Sequence, residues 1–229
     1  MPLDQIFWQE ELSRIMALIV AIWTDASWAS AIAVMQVMTE AGIEPIDEAE
    51  VYAAIMDWIY MNAPGQAVLI MENTRKLVEE ALALWDGEDE EALAALLEPI
   101  FGANRANAIG ITEAVLAFAM GNLIAWNKYG IIEEVIWMTA EDERVCAVCG
   151  PLHEVVIGLV DALYGGQRPP AHTLCRCWLE AIVVLQKVSS LADALFAGLI
   201  TRERRGGRLR NLILTGMYCP WSNGGRDND

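Results

Sequence analysis

Four of the five cysteines in this chain fall in two tight pairs, Cys146 and Cys149 in "RVCAVCG" and Cys175 and Cys177 in "HTLCRC". The fifth, Cys219, lies far off toward the C-terminus. Two close pairs joined by a loop are a frequent zinc arrangement, because each pair offers two thiolates from one turn and the ion closes the loop between them. In an extended segment Cys175 and Cys177 would point to one side, so both could reach the same ion. His172 adds another donor. Five candidates, Cys146, Cys149, His172, Cys175 and Cys177, therefore compete for four places, and spacing leaves open which four bind. Such a site is structural: its binding energy becomes folding energy for a module too small to close by burial alone. Buried apolar cysteines are the bland alternative, and clustering of four thiols with a histidine outweighs it. His153, four residues past Cys149, reads as a surface or supporting imidazole.

Catalytic chemistry finds less support in the same residues. A redox pair of the thioredoxin type belongs between a strand and a helix, and Gly150-Pro151 follow the first pair here. A zinc deaminase needs H-x-E before P-C-x-x-C, and this chain has the reverse order. A Cys-His nucleophile lacks an oxyanion loop. An HNH-like nuclease, with zinc cysteines bracketing a catalytic histidine, fits somewhat better. A nuclease wants a basic surface, however, and this module is acidic. The reading is non-enzymatic, with a zinc-dependent nuclease or hydrolase acting on DNA as the alternative. Dependence on His153 would separate the two.

The elements that must position these residues give an α+β fold: a mainly helical N-terminal half, then a small sheet-containing module clipped by the cysteines. Apolar residues recur at helical spacing from Gln5 to about Ala41, with Gly42 as a stop. "DEAE" at 47–50 has capping-box spacing and opens a helix expected to end at Pro64. Another is expected from Gln66 to Trp85. "EDEEALAALLE" opens a short helix with an acidic first turn, closed by Pro99. A long helix follows from Ala103 to Lys128, ending at Gly130. After it, "IIEEVIWM", "EVVIGLV" and "CRCWLEAIVV" read as short strands. The divisions are 1–100, an acidic helical region; 101–185, the cysteine module; and 186–229, one more helix over 186–200 and then a basic, poorly ordered tail.

Charge is distributed unevenly. Residues 1–100 carry 19 acidic and 3 basic side chains, whereas 201–229 carry 3 and 6, within a total of −17. An acidic body repels a phosphate backbone, which leaves only "TRERRGGRLRN" with the charge to touch DNA. The most apolar early run, "IMALIVAIW", has nine residues. That is about half of what a bilayer span needs, so no membrane role is expected. No basic-then-apolar secretory leader is visible, and a reducing compartment favours metal over disulfides.

Three stretches carry a resemblance: "RANAIGITEAVLAFAMGN" (105–122), "YGIIEEVIWMTAEDERVCAVCGPLHE" (129–154) and "GQRPPAHTLCRCWLEAI" (166–182). They resemble the Mu F-like head morphogenesis proteins of tailed phages. The matching positions are Thr112-Glu113, Gly130, Trp137 with Thr139, Asp142 through Cys146 with Cys149, and Pro169-Pro170 through Cys177. Thr173 stands where that family tends to have proline, and His153-Glu154 replace an acidic-glycine turn. The resemblance covers roughly residues 100–182. It implies a minor head protein of the virion that meets the portal and the capsid or scaffold during assembly in the host cytoplasm. Such a protein would aid head assembly or DNA packaging and delivery.

Overall fold

A computed structural model of the protein describes residues 5–184 and the backbone of 211–214. The helix expected over 186–200, the arginines of 202–210 and Cys219 lie outside the described residues.

Helix α1 (Gln5–Glu40) ends where Gly42 takes φ 74, a left-handed conformation that costs a glycine little. Its amide and that of Ile43 turn back to the carbonyls of Thr39 and Met38, both at 2.9 Å. One face of α1 buries Ile19, Trp23, Ala26, Ser27, Ser30, Ala31 and Val34. The small residues on that face let helix α4 (Ala103–Tyr129) approach closely: a Cβ placed on Gly121 would collide with the Ser27 carbonyl and the Ser30 hydroxyl. Only glycine fits there.

Helix α2 (Glu48–Leu84) corrects the expected break at Pro64, because it runs through that residue uninterrupted. Proline removes one intrahelical hydrogen bond and crowds the preceding turn. Pro64 is exposed, as is Tyr60, whose carbonyl would have been the acceptor. Water can therefore serve that carbonyl. Meanwhile Val51, Ile55, Ile59, Ala63, Ala67 and Met71 form one buried stripe across the site. Burial on both sides of the proline outweighs the local penalty. The N-terminus is as expected: Asp47 caps the helix by accepting from the Ala49 amide at 2.8 Å.

Helix α3 (Glu90–Phe101) is capped by Asp89, which accepts from the Glu91 and Ala92 amides at 2.9 and 3.2 Å. It continues two residues past Pro99, and α4 begins directly after Gly102. Gly130 closes α4 at φ 65. By length and composition, α1 and the helical stretch Glu90–Tyr129 are apolar enough to cross a membrane, more than the nine-residue run suggested. In this fold the apolar positions of α4 are mostly buried, Val115, Ala117, Met120, Leu123 and Trp126 among them.

Strand β1 (Ile132–Met138) lies between β2 (Val155–Gly158) and β3 (Trp178–Val184), antiparallel to both. The order is β2-β1-β3-β4, where β4 (Asn211–Leu214) pairs antiparallel with β3. Residues 211–214 were expected within a poorly ordered tail, and backbone pairing along the edge of β3 makes them a strand instead. The expected strand "EVVIGLV" divides at Gly158, after which Leu159–Leu163 form the short helix α5. Val135, Trp137, Ile157, Leu179, Ala181 and Val183 face the helices, in one apolar cluster with Trp23, Ile55, Met120 and Leu123. The sheet is thus seated on α4.

Candidate metal centre

The first donor loop leaves β1 at Met138 and returns at β2. Asp142 sets its first turn: its carboxylate accepts from the Arg144 amide at 3.0 Å, and its carbonyl from the Val145 amide at 3.0 Å. A second, tighter turn follows. The Cys149 amide donates to Cys146 Sγ at 3.4 Å, and the Gly150 amide to the Cys146 carbonyl at 2.9 Å. Backbone N–H groups aimed at a sulfur favour its thiolate and hold it in place. The 3₁₀ turn Gly150–Leu152 then brings the chain back, and the Glu154 amide bonds the Trp137 carbonyl at 2.8 Å. Glu154 sits at φ 61. It occupies the place where the resembled family has glycine, and the turn persists at a local cost of about 1 kcal/mol for a side chain in left-handed backbone.

The second loop precedes β3. Leu174 also has positive φ, 60°, and its amide donates to Thr112 Oγ1 on α4 at 3.0 Å. The Cys175 amide reaches the His172 carbonyl at 3.2 Å. His172 Nδ1 lies 2.7 Å from the Thr173 carbonyl, so Nδ1 carries the proton and Nε2 presents its lone pair. That is how a metal-ligating imidazole is fixed in one tautomer. Thr173 serves through its carbonyl, so the absence of proline there costs the arrangement nothing.

The loops bring all five expected donors together. His172 Nε2 is 3.1 Å from both Cys146 Sγ and Cys149 Sγ, and Cys149 Sγ is 3.8 Å from Cys175 Sγ. Zinc–sulfur bonds of about 2.3 Å in a tetrahedron put sulfurs about 3.8 Å apart. The donors form two overlapping triads, Cys146–Cys149–His172 and Cys149–Cys175–Cys177. Cys149 belongs to both. Cys149, Cys175 and Cys177 are buried, while Cys146 and His172 are partly open. The soft thiolates with one imidazole suit zinc.

Proton positions follow the surroundings. Cys175 is drawn down to about 5 by the thiol of Cys177, which donates to it, and by backbone amides, against the effect of burial. Cys177 is pushed up by that same bond and by burial. Burial pushes Cys149 up to about 12. The Cys149 amide lowers Cys146, and the Thr173 carbonyl raises His172. A cation on these sulfurs would have to displace their protons, which would make its binding pH-dependent and coupled to folding.

Around the donors lie contacts that spacing did not reveal. Arg176, between the two cysteines of the second pair, grips Asp142 with both guanidinium nitrogens at 2.7 and 2.6 Å. That bond holds the Asp142 carboxyl well below the usual carboxylate range. No local signal pairs the two residues, which are 34 apart in sequence. The cleft beside the donors, lined by Thr139, Arg144, Cys146, His172, Leu174 and Arg176, has a volume of about 30 Å³. It admits a water or an ion. His153 is turned away from the donors: its Nδ1 accepts from the Thr139 amide at 3.3 Å, and Nε2 lies 3.3 Å from Glu141.

The Thr-Glu pair on α4 faces two directions. Thr112 holds the second loop, whereas Glu113 is buried among the helices. Glu113 accepts from Trp23 Nε1 of α1 at 3.0 Å and from Gln66 Nε2 of α2 at 2.6 Å. Burial raises its pKa, and those two hydrogen bonds oppose the rise.

Residues 73–180 match the family model described as phage Mu protein F like protein. The match takes in the whole donor set and starts earlier than the resemblance seen in the sequence, within the last turns of α2. There Thr74 Oγ1 accepts from Arg105 at 2.9 Å, tying α2 to the start of α4. No curated protein and no solved structure matches.

Proposed function

From the premise that residues 73–180 are a phage Mu protein F-like region, with the phage head context that family implies, we propose that this is a non-enzymatic minor head protein carrying one structural zinc ion. It docks on the portal and on capsid or scaffold proteins, and aids head assembly or DNA packaging and delivery. It acts in the host cytoplasm during assembly and remains in the virion. The observation that carries the proposal is the donor cluster itself: two loops converge on Cys149, whose sulfur lies 3.8 Å from that of Cys175, the separation of two sulfurs on a tetrahedral zinc. Zinc is held by four of Cys146, Cys149, His172, Cys175 and Cys177, and fixes the shape of residues 101–185 for docking. The acidic helical region 1–100 adds a surface from which DNA is repelled, and DNA contact is left to the basic residues of 202–210.

Supporting the absence of catalysis, the donor cleft is about 30 Å³ and His153 is occupied by Thr139 and Glu141. The test is metal analysis of the full chain purified under reducing conditions, combined with capture by the portal protein encoded in the same genome. About one zinc per chain, and capture lost on chelation, is the expected result. A metal-free chain that still binds the portal removes the zinc, and hydrolysis of DNA abolished by His153→Ala removes the non-enzymatic reading.

A further inference from the structure

Cys149 and Cys175 are separated by 26 residues in sequence, yet their sulfurs are 3.8 Å apart and both side chains are buried. An ion on the donor cluster would tie the first loop to the second through these two residues. A covalent bond between them would tie the same two points. We propose that Cys149 and Cys175 are a disulfide-forming pair that takes over the clip when the ion is absent and an oxidant is present. The proposal rests on the donor-cluster geometry and goes beyond the zinc reading, because it concerns the metal-free chain.

The approach required is modest. Sulfurs in a disulfide lie about 2.05 Å apart, so side-chain rotation must close less than about 2 Å. The backbones at both ends are already held: Cys149 by the amide bonds of its turn to Cys146, Cys175 by the Leu174 amide on Thr112 and by the start of β3. The small cleft beside Cys146 and His172 admits a peroxide-sized oxidant. The step balances with hydrogen peroxide as oxidant. Counted from the two neutral thiols, two S–H bonds and the O–O bond break, and one S–S bond and two O–H bonds form. The two sulfurs together lose two electrons, peroxide gains them, and two waters leave. Where an ion was bound it departs, since neither sulfur then has a thiolate to offer.

Cys149 with Cys177 would also join the loops, and persistence of the link in Cys177→Ser tells it apart from Cys149 with Cys175. The pairs within one loop are Cys146 with Cys149, and Cys175 with Cys177. Either would close only its own short turn and leave the two loops unconnected. Cross-linking 149 to 175 closes a longer loop and constrains the unfolded chain more.

The experiment uses the full chain. Zinc content is measured first, on untreated protein, so that the zinc reading stands or falls separately. The chain is then chelated, treated with hydrogen peroxide and digested without reductant. Cleavage after Glu143, Glu154 and Glu180 separates the first pair from the second. The expected product is one linked species joining the two pieces, with the intact mass lower by two hydrogens. It persists in Cys146→Ser and Cys177→Ser and is lost in Cys149→Ser and Cys175→Ser. Melting of the oxidised chain lies above that of the chelated, reduced chain. Pairing within either close pair, pairing to Cys219, or no pairing at all overturns the proposal, whatever the zinc content.

Discussion

Three helices meet at Glu113, and two loops meet at Cys149. At the first point, long apolar stripes on α1, α2 and α4 supply the adhesion, and a single carboxylate ties Trp23 to Gln66. At the second, the contacts are thiols, one imidazole and the Asp142–Arg176 pair. Burial of apolar area is spread over dozens of side chains, so no one residue decides it. A metal clip of the kind proposed would concentrate its energy on four ligands. The comparison teaches that the helical region should degrade gradually under mutation, and the module abruptly.

The sharpest test of this contrast is Cys149→Ser. Because Cys149 is shared by both triads, its loss should abolish metal binding, with an apparent binding free energy on the order of 10 kcal/mol forfeited. Zinc content and limited proteolysis after residue 130 check this, and α1, α2 and α4 should survive as a protected fragment. Cys146→Ser or Cys177→Ser should weaken binding less, since each belongs to one triad. Equal loss across all five donors would break the hub description.

Next in size is Glu113→Ala. It strands the buried Trp23 Nε1 and the partly buried Gln66 Nε2, and should cost about 1–3 kcal/mol in denaturant unfolding. Metal content should not change. A smaller effect separates the regions by pH. Glu113 has a folded pKa above its ordinary 4.5. Its contribution is fully present below that value and is lost as pH rises through the raised folded value. Asp142 has a folded pKa below its ordinary 3.8, so its contribution is present above 3.8 and is lost as pH falls. Glu113→Gln should flatten the alkaline-side decline of stability, and Asp142→Asn the acid-side decline. Unfolding midpoints across the carboxylate range read both, and like signs for the two would refute the assignment. Smallest is His153→Ala, worth about 1 kcal/mol or less through the Thr139 amide it leaves, with zinc retained.

Much of this was legible in the sequence. The five residues that the two loops bring together could be picked out because cysteine is rare and close spacing is local information. The α+β division followed from the short, β-branched apolar runs after Gly130. Contacts between distant positions were not legible. Asp142 and Arg176 are 34 residues apart, and nothing in either's neighbourhood names the other. Nothing local marks Glu113 as buried, since burial of a carboxylate is decided by what packs over it. Pro64 was misread for the same reason: a local stop signal lost to a tertiary stripe on either side. Residues 211–214 became a strand through the edge of β3, a partner that local composition does not reveal.

Thr112 and Glu113 are consecutive on one helix, so their side chains point about 100° apart around its axis. One touches the donor loop, the other touches α1 and α2. α4 therefore works as an axle with a cog on each side. Turning it far enough to lift Thr112 from the Leu174 amide also swings Glu113 away from Trp23 and Gln66. A rotation of α4 driven from the loops is therefore opposed at Trp23 and Gln66 as well as at Leu174.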